Sequence, residues 1–149
     1  MIAVDTNLLV YAHRAGCAEH RKAQRAIEHA AADRDGLCIP LPCLFEFWSV
    51  VTHSSSVGGA SPPDLASRFI KELVNTAGAR VLLPGERFAE RCFEAAVRLD
   101  VHGPRVFDLQ IGLMCLEAGV TELWTRDAGF VTLPGLRVLD PLAPGASSS

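Results

Sequence analysis

The chain lacks any apolar run near the roughly 20 residues that a membrane-crossing helix needs. Its longest, Met1 to Val4 and Ile111 to Leu116, fall far short. No secretion signal is read at the start either: no Lys or Arg precedes the apolar residues of Met1 to Val10, and Asp5 and Asn7 interrupt them. Paired cysteines are missing. The five present, Cys17, Cys38, Cys43, Cys92 and Cys115, are odd in number, and none stands at the C-x2-C spacing of a zinc or redox site. They are expected as reduced thiols of a cytoplasmic protein, with Cys92 and Cys115 serving as packing residues. The five histidines (His13, His20, His29, His53, His102) form no H-E-x-x-H or comparable metal cluster and are expected at the surface. There is no internal repeat.

A basic excess is missing as well. The net charge of −3 argues at first against a polyanionic partner. That argument weakens if four acids serve a site, because 13 of the 17 acids then face 14 Lys plus Arg, and bound divalent cations would reverse the local sign further. Charge therefore permits a nucleic-acid substrate without suggesting one. At 149 residues, 49% apolar and 21% charged, the chain suits one globular domain and leaves no room for a second.

What is present alternates between strands and helices. Met1 to Val4 reads as a buried strand, with Thr6 as the N-cap of a helix over Asn7 to Tyr11. Cys17 to Asp33 carries Ala23, Ala26, Ile27, Ala30 and Ala31 on one helical face, and Gly36 breaks it. Leu37 to Ile39 is a second strand, and Pro40 and Pro42 turn into a helix over Leu44 to Thr52. Ser54 to Gly59 reads as a flexible connector before a helix opening at Ser61, with Leu65, Phe69, Leu73 and Val74 along one face. Val81 to Leu83 is a third strand and Glu86 to Leu99 an amphipathic helix. Val106 to Ala118 is apolar nearly all round, so it is expected to be buried, and Gly119 stops it. Glu122 to Thr125 and Leu136 to Leu139 complete four to five strands. Ala143 to Ser149 has little to bury and is expected to be a disordered tail. Strands separated by helices imply an α/β fold with a mainly parallel sheet between helical layers.

In such a fold an acid lodged among apolar residues is informative, because a buried carboxylate is costly unless paired or bound to a metal. Asp5 follows a core strand at its carboxyl end, where open parallel sheets bind ligands. Glu46 sits inside Leu44-Phe45-Glu46-Phe47-Trp48, and Asp108 inside Val106-Phe107-Asp108-Leu109; Asp127 follows the fourth strand. Each has a plainer reading beside the catalytic one: Asp5 and Asp108 as helix caps, Glu46 on a solvated helix face, Asp127 as a turn residue. Taken together, carboxylates without Cys or His ligands suit hard cations such as Mg2+ or Mn2+, whose usual chemistry is phosphoryl transfer or phosphodiester hydrolysis.

The pieces V-D-T-N-L-L-V-Y-A (Val4 to Ala12), L-F-E-F-W (Leu44 to Trp48), R-V-F-D-L-Q-I-G (Arg105 to Gly112), E-L-W-T-R-D-A-G-F (Glu122 to Phe130) and L-P-G-L-R-V-L-D-P-L (Leu133 to Leu142) resemble, in order, a PIN-domain ribonuclease of the VapC toxin type. The resemblance runs from Met1 to Leu142. It implies an α/β/α sandwich that cleaves transfer or ribosomal RNA with Mg2+ or Mn2+, forms a homodimer, and is held inactive by a cognate antitoxin. Asp5, Glu46, Asp108 and Asp127 fall on the family's acidic quartet, with Asp5 and Asp108 as the most direct metal ligands. Thr6, Asn7 and Thr125 match the polar residues that orient the quartet. Arg105 and Arg126 stand beside quartet members and face either RNA phosphate or a carboxylate neighbour. Ser54 to Asp64 would border the RNA groove, and Trp48 and Trp124 are expected in the core. Two rivals stay open. A haloacid-dehalogenase-like phosphohydrolase also places an Asp after its first strand, but it needs a second Asp where this chain has Asn7. The other is a non-catalytic PIN-like module that binds RNA or protein without cutting.

Overall fold

Residues 1–145 are described by the computed structural model, in which eleven elements follow one another. They are β1 (Ile2–Val4), α1 (Thr6–His13), α2 (His20–Ala32), β2 (Leu37–Pro40), α3 (Leu41–Thr52), α4 (Pro63–Asn75), β3 (Arg80–Leu82), α5 (Phe88–Arg98), α6 (Arg105–Glu117), β4 (Glu122–Trp124) and β5 (Arg137–Leu139). Of the expected disordered tail, residues 146–149 lie outside the described residues.

All strand pairings are parallel, in the order β3-β2-β1-β4-β5. β1 and β2 are buried at every residue, which for a pleated strand means that both faces are covered. This is the expected α/β architecture. The chain winds from β1 outward through β2 to β3, then returns to pair β4 on the other side of β1. The winding direction thus reverses between β1 and β4, and a crevice opens at the carboxyl ends of those two strands.

Several boundaries differ from the sequence reading for identifiable reasons. Asp5, not Thr6, caps α1: its backbone is extended and its carboxylate accepts from the Thr6 backbone N–H. α2 starts at His20 rather than Cys17, because Cys17 to Glu19 close a turn through the Cys17 N–H to Arg14 C=O and His20 N–H to Cys17 C=O bonds. α3 starts at Leu41, three residues early, since a proline in the first helical turn lacks only a donor that would be unpaired anyway. α4 starts at Pro63, with the same tolerance. Gly119, at φ +76°, takes the left-handed position that ends α6.

Apolar composition overstated burial in two helices. α3 buries Cys43, Leu44, Phe47 and Val51 but leaves Phe45 70% and Trp48 38% exposed. The expectation of Trp48 in the core is thereby corrected, whereas Trp124 is buried in β4. α6 is buried through Leu109, Ile111, Met114 and Cys115, but Phe107 is 64% exposed. His13 departs from the surface expectation. Its ring lies edge-on to Phe47 and Phe69, with centroids at 5.3 and 5.1 Å, and Nε2 stands 2.9 Å from Ser61 Oγ. Burial holds its pKa below the ordinary value, and the neighbouring Arg14 and His20 push the same way. The connector between α3 and α4 is held as well: the Arg14 guanidinium donates to Gly59 C=O (2.8 Å), Val51 C=O (3.2 Å) and Ser56 Oγ.

Phe47 is fully buried and stacks on Phe69 at 5.0 Å, joining α1, α3 and α4. Phe47→Ala is expected to cost about 3–5 kcal/mol, as large core truncations do. Urea unfolding should show a lowered midpoint at unchanged slope, and a loss under about 1 kcal/mol would show that this cluster does not anchor the fold.

Candidate active site

The carboxyl ends of β1 and β4 are held level by the Val4–Trp124 pairing and by the Asp5 N–H, which donates to Trp124 C=O at 2.9 Å. Asp5 and Thr125 are the residues immediately beyond. The Thr125 hydroxyl donates to Asp5 Oδ2 at 2.7 Å, so the two strand ends are joined by side chains as well as backbone. Both groups are buried.

A ring of donors surrounds the Asp5 carboxylate. Oδ1 accepts from the Thr6 backbone N–H at 2.8 Å and from the Cys43 thiol at 3.7 Å; Oδ2 accepts from Thr125 and, at 3.4 Å, from the Asn7 amide. Asn7 Nδ2 also donates to Thr125 Oγ1 at 2.9 Å, while Asn7 Oδ1 accepts the Arg126 backbone N–H at 3.2 Å. Thr6, Asn7 and Thr125 therefore touch the residues that the sequence reading assigned them to orient. The capping and catalytic roles of Asp5 are not exclusive: one oxygen caps α1, and the other accepts from Thr125 beyond β4. Cys43 was missed. Its only sequence signal is its place three residues before Glu46, and burial together with the nearby Asp5 charge holds its thiol well above the ordinary pKa, so it stays protonated.

The other three acids reach this point by different routes. Asp108 lies inside the first turn of α6, where Pro104 is the cap, so it is not a capping residue. It is only partly exposed. Burial raises its pKa, and the charges of Asp127 and Asp5 raise it further, against lowering by Arg105 and a backbone hydrogen bond from Val131. These three carboxylates thus share one electrostatic environment. Asp127 is exposed; its Oδ1 accepts the Gly129 N–H at 2.8 Å, the turn role foreseen for it, while its own N–H donates to Thr125 Oγ1 at 3.0 Å. Glu46 is exposed on α3, which corrects the burial argument made for it: its apolar neighbours are themselves partly solvent-facing. It is nonetheless tied in, because Thr6 Oγ1 donates to Glu46 Oε2 at 2.8 Å.

The two arginines part company. Arg105 Nη1 lies 3.8 Å from Asp108 Oδ2, beside the acidic pocket. Gly129 adjoins Arg105 and Asp127: a Cβ there would stand 3.3 Å from Arg105 Nη2 and from Asp127 Oδ1, so a bare backbone suits this approach. Arg126 instead reaches Glu19 (3.9 Å) and Asp140 (3.7 Å), acids that are not members of the quartet. Among the described residues, no three of His, Cys, Asp and Glu close a metal cage by themselves. The donors present are carboxylate oxygens whose mutual repulsion at Asp108 is only partly countered by Arg105, which suits a cation held by one or two carboxylates and completed by water and substrate.

With this geometry, comparison with known proteins is informative. The family model of the PIN domain matches residues 2–136. Ribonuclease VapC43 of Mycobacterium tuberculosis is 33% identical over 142 residues, covering 95% of this chain and 96% of that one. In the crystal structure of Mycobacterium tuberculosis VapC20, a Sarcin-Ricin loop cleaving toxin, the fold superposes with a TM-score of 0.63 at 23% identity, over 88% of this chain and 97% of that one. VapBC2 from Rickettsia felis, bound to a DNA fragment from its promoter, gives 0.68 at 17% identity, over 94% and 98%. A match spanning nearly all of the sequence, on a sheet whose reversal point carries the acids, places this chain in the PIN domain family among the VapC ribonucleases.

Proposed function

We propose that this protein hydrolyses RNA phosphodiester bonds with the help of Mg2+ or Mn2+ held at Asp5 and Asp108, with Glu46 and Asp127 completing the shell directly or through water. The observation that carries the reading is the convergence of Asp5, Asp108 and Asp127, from three separate elements, on the sheet's reversal point, where burial first, and then the charges of Asp127 and Asp5, drive Asp108 toward protonation. Such repulsion is what a divalent cation relieves. When bound, the ion supplies charge stabilisation at the phosphate and makes water acidic enough to attack near neutral pH. The chain's own residues do the rest. Thr125, Asn7 and the Thr6 backbone fix the Asp5 carboxylate in one orientation, and Thr6 Oγ1 fixes Glu46. Arg105 is placed to meet a phosphate oxygen in exchange for its long contact with Asp108. Asn7 stands where a phosphohydrolase of the haloacid dehalogenase type needs an acid, and its amide is engaged as a donor to Asp5 and Thr125, which disfavours that reading.

As a VapC-type ribonuclease the protein is the toxin of a toxin–antitoxin pair, acting in the cytoplasm on transfer or ribosomal RNA and restrained by a cognate antitoxin. No helix among the described residues is long and apolar enough to cross a membrane. Homodimerisation is assigned to the region of α3 and α4, where Phe45 and Trp48 are exposed on α3 and a groove of about 400 Å3 along α4 is lined by Phe69, Leu73 and Ala77 together with Glu72 and Thr76.

Expression in a bacterium should arrest growth and create discrete new RNA 5′ ends, and Asp5→Ala should do neither. Equal behaviour of the two chains would refute the nuclease reading. Thr125→Val keeps the shape but removes the hydroxyl; cleavage should fall by roughly 10–100-fold, in line with losses of groups that orient metal ligands. Asp108 gives a prediction of opposite signs. Its raised pKa means that ionisation works against the folded state, so this destabilisation is present at neutral pH and relieved as pH falls toward that pKa. In EDTA at neutral pH, Asp108→Asn should therefore raise Tm by a few degrees, on the order expected for a small domain, while cleavage is lost. A lowered Tm would show that Asp108 serves the fold rather than the site.

A further inference from the structure

α2 runs from the catalytic edge of the sheet to the opposite edge. Its N-cap, Glu19, pairs at 3.9 Å with Arg126, the residue after Thr125, whereas its C-cap, Asp33, lies 3.5 Å from the Met1 amino group at the start of β1. Arg21, Lys22 and Arg25 stand in the first two turns, on the half nearest the acids, and all three are exposed. At 100° per residue they share an arc of about 100° and span about 6 Å of axis. The carboxylates nearest in sequence are Glu19, engaged by Arg126, Glu28 one turn past Arg25, and Asp33 at the far end. Among the described residues none of the three cations has a carboxylate within ion-pair distance.

This placement runs against helix electrostatics. The first turn of α2 has no acid, and cations there meet the positive end of the helix dipole. In a chain of net charge −3, three unneutralised cations at the helix end beside the site form a local reversal of sign. A local rule broken without a compensating contact marks a functional surface.

We propose that the exposed face of α2, carried by Arg21, Lys22 and Arg25, is a phosphate track that holds the RNA strand beside the cleavage site. The inference rests on the ribonuclease reading and adds where the flanking strand lies. Backbone phosphates are the matching partner because the face offers charge without large apolar side chains: its other exposed members are Gln24, Glu28 and His29, and the His29 ring lies 5.8 Å from that of Trp124. The acids position the bond to be cut, and the track supplies the salt-sensitive part of affinity.

The test compares the full chain, R21A/K22A/R25A, and R34A/R80A/R137A, which removes equal charge from exposed arginines at the opposite edge. Binding of fluorescein-labelled single-stranded RNA is measured in EDTA across a potassium chloride series, and cleavage of the same RNA is followed with Mg2+. The α2 variant should lower the slope of log affinity against log salt by about 2, from roughly 0.7 per lost phosphate contact. It should raise KM and leave kcat unchanged, while the opposite-edge variant keeps the parent slope. An unchanged slope in the α2 variant overturns the proposal, and so does an equal loss in both variants, which would reduce the effect to net charge. If the α2 variant instead lost binding only to polyglutamate, the face would belong to an acidic polypeptide and the proposal would fail. A parent that binds RNA without cutting it would refute the ribonuclease reading and leave the track standing; a parent that cuts, with α2 indifferent, would refute the track alone.

Discussion

The hydrogen bond from Thr125 Oγ1 to Asp5 Oδ2 closes the seam between β1 and β4, and the site is organised around it. Parallel pairing sets the two strand ends level but says nothing about the side chains beyond them. The hydroxyl converts that level edge into a fixed carboxylate, and Asn7 braces the same pair from α1 while holding the Arg126 backbone. A buried carboxylate would ordinarily resist this environment. Several donors, each weak against water but strong in a shielded pocket, make the ionised form tolerable.

That tolerance does not extend evenly to the neighbours. Asp108 has fewer donors, is partly buried and has two nearby negative charges, so its ionised form is a cost that the fold must carry. The cost is bearable because the sheet beneath is covered on both faces and because Asp127 and Glu46 keep access to water. Stability is thus concentrated in the layers and spent sparingly at the edge, the arrangement expected where a site needs charges that the fold alone would reject.

Much of this was legible in the residues. Asp5 after a continuous apolar run identifies both a buried strand and an acid at its carboxyl end, and the ordered motifs through Leu142 carried the family. Glu46 shows where such reading fails. Apolar neighbours in sequence imply burial only if they pack inward, and on α3 Phe45 and Trp48 do not. Helix periodicity there was masked because both faces are apolar, one toward the core and one toward solvent. His13 fails for the converse reason: its two aromatic partners arrive from α3 and α4, far away in sequence. The separate fates of Arg105 and Arg126 likewise depend on which acids the fold brings near, and adjacency to the quartet in sequence could not distinguish them.

α1 is anchored at both ends. Asp5 and Asn7 seat its first turn on β4, and eight residues later His13 and Arg14 hold Ser61 and the connector before α4. At 1.5 Å and 100° per residue, the helix behaves as a gauge block of about 12 Å with a set angular offset between its ends. Inserting or deleting a single residue within it would rotate one anchor by roughly 100° relative to the other. Either the carboxylate or the connector would then lose its seat. The spacing between the catalytic aspartate and this distant loop is therefore a fixed length of the molecule, written into the residue count of one short helix.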